Sequence, residues 1–371
     1  MTVQVTTFEN GLQVITDSVR TVETVSVGAW VSVGTRHESK ELNGISHLLE
    51  HMAFKGTERR SAREIAEEIE AVGGHLNAYT ARENTAYFAK VLKDDVSLAA
   101  DIISDILQYA TFNQEELERE RAVIIQEINQ VFDTPDDIIF DHFQRAAYPN
   151  QAIGRSVLGT ATQIEGIRRE TITNYMQEQY ACNRIVLSAA GNVSHDEFVT
   201  LAQNAYTNLP QESQCTKEAL SYVSGDYRES RDLEQLHLVM GFEGLSYLDD
   251  AYYPMAVLST LLGGGMSSRL FQEAREKRGL VYNIYTFASN YEDGGLFGVY
   301  AGTGGNEVAE LVPVICGEIM SVCGKAAEEE LTRAKTQLKS STLMALESTS
   351  SRCEQAARQL QIFGRPITIP E

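Results

Sequence analysis

The chain has 371 residues, which is beyond the size at which a single hydrophobic core stops growing, so two domains of roughly 150 to 200 residues are expected. Hydrophobic residues make up 43% and charged residues 22%, a soluble globular balance that excludes a disordered, collagen-like or disulfide-scaffold protein. The formal charge of −21 repels phosphate backbones and anionic membrane surfaces. A basic ligand is favoured, and neither nucleic acid nor a membrane is expected as a partner.

The absence of targeting signals and the pattern of cysteines indicate which cellular compartment to expect. Every apolar run is far shorter than the ~20 residues that span a bilayer, and the first six residues lack the basic start and apolar stretch of a secretory signal. The cysteines are odd in number, widely spread and never in a C-x-x-C pair, which argues against disulfide staples and a thiolate zinc site. They are Cys182, Cys215, Cys316, Cys323 and Cys353. A reducing compartment with buried thiols is therefore expected.

Periodicity in the first half predicts alternating strands and helices. Residues 24–33 alternate between apolar and small or polar side chains, which predicts a half-buried strand. The capping box Ser61 to Glu64 and the stop at Gly73 bound a helix. The further predicted elements are a strand pair at 75–80 and 85–92, helices at 96–110 and 115–130, a helix beginning at Thr134-Pro135, and a strand at 185–190.

Hydrophobic periodicity is absent between residues 208 and 235, where proline, serine and glycine are mixed with charged residues. This stretch is predicted to be a linker between an N-terminal domain at 1–207 and a C-terminal domain at 236–371. The second domain is predicted to contain a strand at 236–242, helices at 252–262 and 270–278, and then further strands.

A short internal match suggests that the two domains are related. Gly73 and the segment Asn77-Ala78-Tyr79-Thr80 recur as Gly279 and Asn283-Ile284-Tyr285-Thr286 at one constant offset of 206 positions. The interpretation is a duplicated α+β domain with an antiparallel-rich sheet and packed helices. At the same offset the strand near 184–193 would recur beyond residue 371, so the second copy is expected to be shortened, either by truncation or by native loss.

The most specific chemical signal is His47-Leu48-Leu49-Glu50-His51. At about 100° per residue, His51 lies about 40° from His47 on a helix and Glu50 lies about 60° to the other side, so three polar groups share one stripe. Two imidazoles one turn apart can bind Zn²⁺ and leave the carboxylate free to reach a bound water. The alternative is a surface helix with two solvated histidines.

A later helix offers the carboxylate that such a site still lacks. Glu127 follows Glu120 by seven residues, so both point the same way from a helix whose other residues include Val123, Ile124, Ile125 and Ile128. A carboxylate on a packed helix needs a cation or a proton to be tolerated. A zinc ion meets that need.

His47-x-x-Glu50-His51 followed by Glu127 resembles the inverted zinc motif of the inverzincins, the pitrilysin and insulinase family of metallopeptidases, and most of all its processing-peptidase branch. The resemblance covers essentially the whole chain. It implies that His47, His51 and Glu127 bind one Zn²⁺ per chain, that Glu50 is the general base toward a zinc-bound water, and that Glu120 is a helper carboxylate beside the metal.

The same resemblance implies substrate contacts in the first domain. Phe54 matches an aromatic wall for the residue after the scissile bond, although it could equally be a core phenylalanine. The stretch 74–80, with Asn77, Ala78 and Tyr79, matches an edge strand that aligns an extended peptide by main-chain hydrogen bonds. Its alternative is a plain internal strand.

Further substrate residues are implied beyond the zinc motif. Arg275 and Tyr282 match a pair at seven-residue spacing in which the tyrosine steadies the oxyanion and the arginine holds nearby backbone. Asp137 and Asp141 match acidic positions that receive a substrate arginine, although such a cluster could simply be a solvated face. The offset of 206 places Tyr253 and Val257 opposite the two histidines, so the second copy is predicted to have no metal site.

These observations predict a zinc endopeptidase that cleaves short, extended, Arg-containing peptides or presequences. A homodimer is expected, with an unequal pair formed with a related subunit as the alternative, in a bacterial cytoplasm or else a mitochondrial matrix. A non-catalytic structural or partner subunit is the competing function, and a purely structural zinc site is disfavoured because it usually needs four protein ligands. Gly263-Gly264-Gly265 is not followed by a Gly-Lys-Ser/Thr signature, so a phosphate loop is not expected.

Overall fold

The computed structural model describes residues 2–213 and 217–371. The chain divides into two compact units. The first unit comprises the chain up to Asn129, the segment Arg155–Glu218 and the segment Ala345–Glu371. The second comprises Gln130–Gly154 and Ala219–Met344.

The described residues form strands β1 (Thr2–Thr7), β2 (Gln13–Ser18), β3 (Thr24–Val31), β4 (His75–Thr80), β5 (Thr85–Leu92), β6 (Ile185–Gly191), β7 (Leu236–Gly244), β8 (Val281–Asn290) and β9 (Gly295–Thr303). They form helices α1 (Ile45–Ala53), α2 (Ala62–Ala71), α3 (Val96–Tyr109), α4 (Gln114–Phe132), α5 (Pro135–Ala147), α6 (Ala161–Gly166), α7 (Arg169–Gln179), α8 (His195–Ala205), α9 (Tyr252–Gly263), α10 (Val308–Gly324), α11 (Glu328–Ala345) and α12 (Thr349–Phe363). None of these helices is long and apolar enough to cross a membrane.

The first unit is built on a six-stranded sheet in the order β1-β2-β6-β3-β5-β4. Adjacent strands in this sheet are antiparallel, except for the pair β2 and β6, which is parallel. Helices α1, α3 and α8 pack on the sheet, and their apolar side chains share one core cluster with the strands. Strand β4 pairs only with β5 among the described strands and forms an edge of the sheet.

Strand β3 is more buried than its sequence predicts. The alternating pattern indicates one apolar face and one solvated face, yet Trp30 and Ser26 on the second face are only 2% and 3% exposed. The reason is that α12 covers this face, and its Ala356, Ala357 and Leu360 pack in one cluster with Trp30. Both faces of β3 are therefore buried by helices.

Helix α12 is also held to the sheet by polar contacts. Arg352 Nη1 donates to Asp17 Oδ2 at 2.7 Å, and the two side chains are only 10% and 7% exposed. Ser26 Oγ lies 3.0 Å from Thr349 Oγ1, and Ser188 Oγ donates to the carbonyl of Cys353 at 2.8 Å. These buried contacts set the register of the helix on the sheet.

Replacing Arg352 with Met is expected to destabilise the first unit by about 3–5 kcal/mol, because Asp17 would keep a buried charge without its partner. Urea unfolding followed by circular dichroism measures the change. Arg63→Ala is the matched control, because the Arg63–Glu67 pair is 84% and 57% exposed and such surface pairs contribute at most about 1 kcal/mol. Equal stability of the two variants would contradict the role given to the Asp17–Arg352 pair.

The second unit contains a three-stranded antiparallel sheet in the order β7-β9-β8. Helix α9 packs against β8 and α5 packs against β7. The ring of Phe140 on α5 lies 5.2 Å from that of Phe287 and 5.7 Å from that of Tyr300, measured between centroids. Helix α5 thus covers the second sheet, although it follows directly after the helices of the first unit in sequence.

The units differ from the predicted linear division at two segments. Residues 130–154 lie in the second unit and residues 345–371 lie in the first. Each half of the chain therefore lends one helix, α5 or α12, to the sheet of the other half. The described part of the predicted linker, 208–213 and 217–235, contains no helix or strand.

The remaining predicted elements are mostly present. The hairpins β4–β5 and β8–β9 follow the predicted internal repeat, whereas the predicted helix at 270–278 is a π-helical turn over Phe271–Glu276. Cys182, Cys316, Cys323 and Cys353 are free thiols, of which Cys182 and Cys353 are buried; Cys215 lies outside the described residues.

Candidate active site

Helix α1 presents its polar stripe because its apolar stripe is buried. Ile45, Leu48, Leu49 and Met52 are fully buried in the core of the first unit. His47, Glu50 and His51 are only half-buried. The helix thus has the amphipathic arrangement that the sequence predicts.

The start of α1 is held by a buried carboxylate. Glu38 accepts hydrogen bonds from the backbone N–H groups of Gly44 and Ser46, each at 2.8 Å, and from Asn43 Nδ2 at 2.9 Å. An anion is favourable at a helix N-terminus, where backbone N–H groups are unpaired. Burial nevertheless raises the pKa of the Glu38 carboxyl group. These contacts orient the helix that carries both histidines.

Glu127 approaches the two histidines from α4. Leu117, Glu120 and Ile124 form the buried stripe of this helix, and Glu127 continues the stripe with a half-buried side chain. Its Oε2 atom lies 3.7 Å from His47 Nε2 and 3.7 Å from His51 Nε2. The donor atoms of the three side chains all lie within 4.8 Å of one another.

This donor set fits a zinc ion. Bonds of about 2.0–2.1 Å to zinc place two tetrahedral ligand atoms roughly 3.4 Å apart, close to the 3.7 Å separations in the cluster. Among the described residues, no other group of three His, Cys, Asp or Glu side chains converges in this way. The predicted ligands His47, His51 and Glu127 are thus brought together.

Glu120 determines which nitrogen of His51 is free. Glu120 Oε2 lies 2.9 Å from His51 Nδ1, and the carboxylate side chain is 8% exposed. Because a carboxylate accepts hydrogen bonds, Nδ1 is the nitrogen that donates to Glu120, and Nε2 is the nitrogen that faces Glu127. A carboxylate on the second nitrogen is the usual way in which a ligating histidine is oriented toward a metal. The other oxygen of Glu120 lies 2.7 Å from Lys55 Nζ.

Glu50 is held by the edge strand. Thr80 Oγ1 on β4 donates to Glu50 Oε2 at 2.6 Å. Burial raises the pKa of the Glu50 carboxyl group, and the hydrogen bond from Thr80 partly offsets this rise. A carboxylate with a raised pKa is a stronger base than an exposed one.

His47 is uncharged at neutral pH. Burial, followed by the nearby His51, lowers the pKa of His47 to about 4. Its Nδ1 atom is buried and has no hydrogen-bond partner within residues 2–213 and 217–371. The neutral ring is the form that binds a metal.

The predicted substrate residues of the first unit have different surroundings in the structure. Phe54 is half-buried and packs against the core, with its ring centroid 6.1 Å from that of Tyr87. Tyr79 donates its hydroxyl hydrogen to Glu354 Oε1 on α12 at 3.0 Å, so its side chain is on the α12 side of the sheet. Asn77 Oδ1 accepts from the backbone N–H of Ala78 at 2.8 Å. The stretch is an edge strand, not an internal one.

The other predicted substrate residues belong to the second unit. Asp137 is exposed and Asp141 is half-buried on α5. Tyr282 is 74% exposed at an irregularity in the β8–β9 pairing, and the guanidinium of Arg275 lies 5.4 Å from its ring centroid. Arg275 and Tyr282 therefore contact each other.

Two residues of this site lie outside the predicted set. Lys55 follows His51 by four positions, a spacing that puts both near one side of the helix end. Thr80 belongs to the predicted edge strand. Neither the Lys55–Glu120 ion pair nor the Thr80–Glu50 hydrogen bond can be read from the sequence, since each partner is distant along the chain.

Proteins of other organisms match nearly the whole of this chain in sequence. A protein of Rickettsia felis named "Uncharacterized zinc protease" is 40% identical over 97% of this chain and 87% of its own length. The "Probable mitochondrial-processing peptidase subunit beta" of Arabidopsis thaliana is 38% identical over 99% of this chain and 72% of its own length. A solved protease structure from Helicobacter pylori shares the fold at a TM-score of 0.88, with 22% identity over 98% of this chain and 90% of that chain.

Family models match both halves of the chain. The model described as "Insulinase (Peptidase family M16)" matches residues 13–161, and the model described as "Peptidase M16 inactive domain" matches residues 166–338. The first match contains all members of the His-His-Glu cluster. Together with a relative that is 40% identical along nearly the full chain, these matches show that the chain belongs to the insulinase family, peptidase family M16.

Proposed function

We propose that this chain is a zinc-dependent endopeptidase that hydrolyses short extended peptides or presequences. The observation that carries the proposal is the convergence of His47, His51 and Glu127 within 4.8 Å. Three protein donors leave one position of a tetrahedral site open, as in catalytic zinc sites, whereas structural sites are closed by four. The names of the zinc-protease relatives support the same conclusion.

His47, His51 and Glu127 would hold the ion, and Glu120 would orient His51. A zinc ion bound there supplies a Lewis acid that polarises a peptide carbonyl and lowers the pKa of a water molecule toward ~7. Glu50 takes the proton from the attacking water and returns it to the leaving amine. Thr80 holds Glu50 during both transfers through its 2.6 Å hydrogen bond.

Substrate contacts are proposed separately for β4 of the first unit and, on the family resemblance, for residues of the second unit. The free edge of β4 pairs with an extended peptide by main-chain hydrogen bonds, which give affinity without demanding one sequence. In this assignment Asn77, Ala78 and Tyr79 act through their backbone and Phe54 through its half-buried ring. Tyr282, stacked with Arg275, steadies the developing oxyanion.

The proposed substrate is basic. Asp137 and Asp141 on α5 would bind a substrate arginine, whose guanidinium can form paired hydrogen bonds with carboxylates. The net charge of −21 attracts such peptides over a longer range.

Metal analysis combined with a cleavage assay tests the function. About one zinc per chain, together with hydrolysis of an internally quenched Arg-containing peptide, is the expected result. The competing function is a non-catalytic subunit, which would give neither. A homodimer is proposed, with an unequal pair as the alternative because some relatives are named as the beta subunit of a processing peptidase; sedimentation of the pure chain distinguishes the two.

The double variant Asp137→Asn, Asp141→Asn is expected to raise KM about tenfold or more for Arg-containing peptides, because each hydrogen bond to a charged group contributes about 1.5–3 kcal/mol. The value of kcat should change little, since neither carboxylate touches the reacting atoms in this assignment. The measurement is steady-state cleavage of a peptide pair that differs only in Arg or norleucine.

Asp133→Asn removes a nearby exposed carboxylate and is the matched control. It should leave the preference for arginine unchanged. An unaltered preference in the double variant would mean that Asp137 and Asp141 form only a solvated face.

A further inference from the structure

We infer that Lys55 is a positioning residue of the metal site, which acts on the ligand His51 through Glu120. The inference rests on the proposed function, because it concerns how firmly the three donors hold the ion. Lys55 Nζ lies 2.7 Å from Glu120 Oε1, and Glu120 Oε2 lies 2.9 Å from His51 Nδ1. The three side chains form one continuous polar chain that ends at the metal ligand.

Each oxygen of the Glu120 carboxylate is thus occupied by a different partner. The torsion at the end of a glutamate side chain is broad and roughly two-fold, so one hydrogen bond alone leaves the carboxylate able to turn. Two partners on opposite oxygens hold its plane. The Glu120 side chain is only 8% exposed, so water has little access to replace either contact.

Lys55 is itself held in place at its backbone. Its N–H group donates to the carbonyl of Met52 at 3.2 Å, just beyond the end of α1. Two residues later, Thr57 Oγ1 donates to the fully buried Asp105 at 2.7 Å. The lysine side chain, which is 30% exposed, therefore starts from a fixed point and needs to order only its own methylene chain.

The charge of Lys55 alone would have the opposite effect on a metal ion. A cationic side chain near a cation site repels the ion, so removing the charge should tighten binding if Coulomb repulsion were all that mattered. Loss of orientation should weaken binding, since partners that orient a ligating histidine typically contribute 10–100-fold to metal affinity. The sign of the change therefore separates positioning from simple repulsion.

The experiment measures the zinc affinity of apo-protein by competition with a chromogenic chelator. Lys55→Met is expected to raise the Kd for zinc about tenfold, the low end of that range, because the lysine acts through one intervening residue. Lys93→Met is the matched control: Lys93 also pairs with a glutamate, Glu23 at 2.8 Å, but on the surface of the same unit. Its Kd should equal that of the wild type.

A double-mutant cycle tests whether Lys55 changes the zinc affinity through Glu120. In a Glu120→Ala background, Lys55→Met should change the Kd little, because the residue through which Lys55 acts has been removed. Circular dichroism of each apo variant checks that it remains folded, and Lys55→Gln replaces any variant that does not.

The outcomes separate the inference from the proposed function. A wild-type chain that binds no zinc would remove the proposed function itself. A wild type that binds zinc, with Lys55→Met equal to it or tighter, would overturn only the role of Lys55. Full additivity with Glu120→Ala would also overturn it.

Discussion

Glu50→Gln is expected to lower kcat/KM for peptide cleavage by about 10²–10⁴-fold, the usual contribution of a general base, while zinc remains bound. Glutamine keeps the size of the side chain and can still accept the hydrogen bond from Thr80 Oγ1. It cannot take a proton from water. Because Glu50 is not one of the three convergent donors, the zinc content should stay near one per chain.

Steady-state cleavage of a quenched fluorescent peptide and metal analysis of the same sample measure both effects. The matched control is Glu67→Gln on α2, where the side chain is 57% exposed and pairs with Arg63 at the surface. This variant should keep wild-type activity. Full activity in Glu50→Gln would exclude Glu50 as the base, and loss of zinc in that variant would show that it acts as a ligand.

Removing one metal ligand should have the second large effect. His47→Ala or Glu127→Ala leaves two donors, and the zinc content after dialysis against a chelator should fall from about one per chain to near zero. Peptide cleavage should be lost with the metal. Both side chains are partly exposed, at 13% and 37%, so the apo variants are expected to fold.

Re-addition of zinc is the informative step. Wild-type protein stripped by a chelator should recover its activity, and neither variant should do so at the same free zinc concentration. Glu118→Ala is the control on the same helix, because Glu118 is 58% exposed and pairs with Arg121. A variant at His47 or Glu127 that keeps stoichiometric zinc would contradict the assigned ligand set.

The zinc motif could be predicted because its geometry is local. The four-residue spacing of His47 and His51 places both rings on one side of any helix, and the apolar residues between them determine which side is buried. Observed ring centroids 4.7 Å apart agree with that expectation. The capping box at Ser61 and Glu64 is present for the same reason, since both partners lie within one turn.

The partners that support this motif depend on distant parts of the chain. Thr80 reaches Glu50 only because β4 lies at the sheet edge next to α1, and Lys55 reaches Glu120 only because α4 packs beside the end of α1. No periodic pattern records which threonine or lysine will meet a carboxylate after folding. Supporting residues of this kind can be identified only from the three-dimensional structure.

The two compact units divide the chain differently from the predicted linear division, for a related reason. The sequence predicts a helix beginning at Thr134-Pro135, but the apolar stripe of a helix is compatible with any complementary apolar surface. No helix is predicted where α12 lies. Each of the two helices covers a sheet whose strands come from the other half of the chain. A division made along the chain places each helix with the other sheet.

Sequence alone thus determined the elements with local signals: those from β3 to α5, the repeat, and a helix bearing two imidazoles and a carboxylate on one stripe. Strands β1 and β2 and helices α6–α8 and α10–α12 were not predicted. Tertiary structure decided that Glu127 meets those imidazoles, which atoms hold Glu50 and Glu120, and which sheet each exchanged helix covers. The physical reason is how far apart the interacting residues lie along the chain. Backbone geometry relates residues within a few positions, whereas contacts across more than a turn depend on how whole buried surfaces fit together.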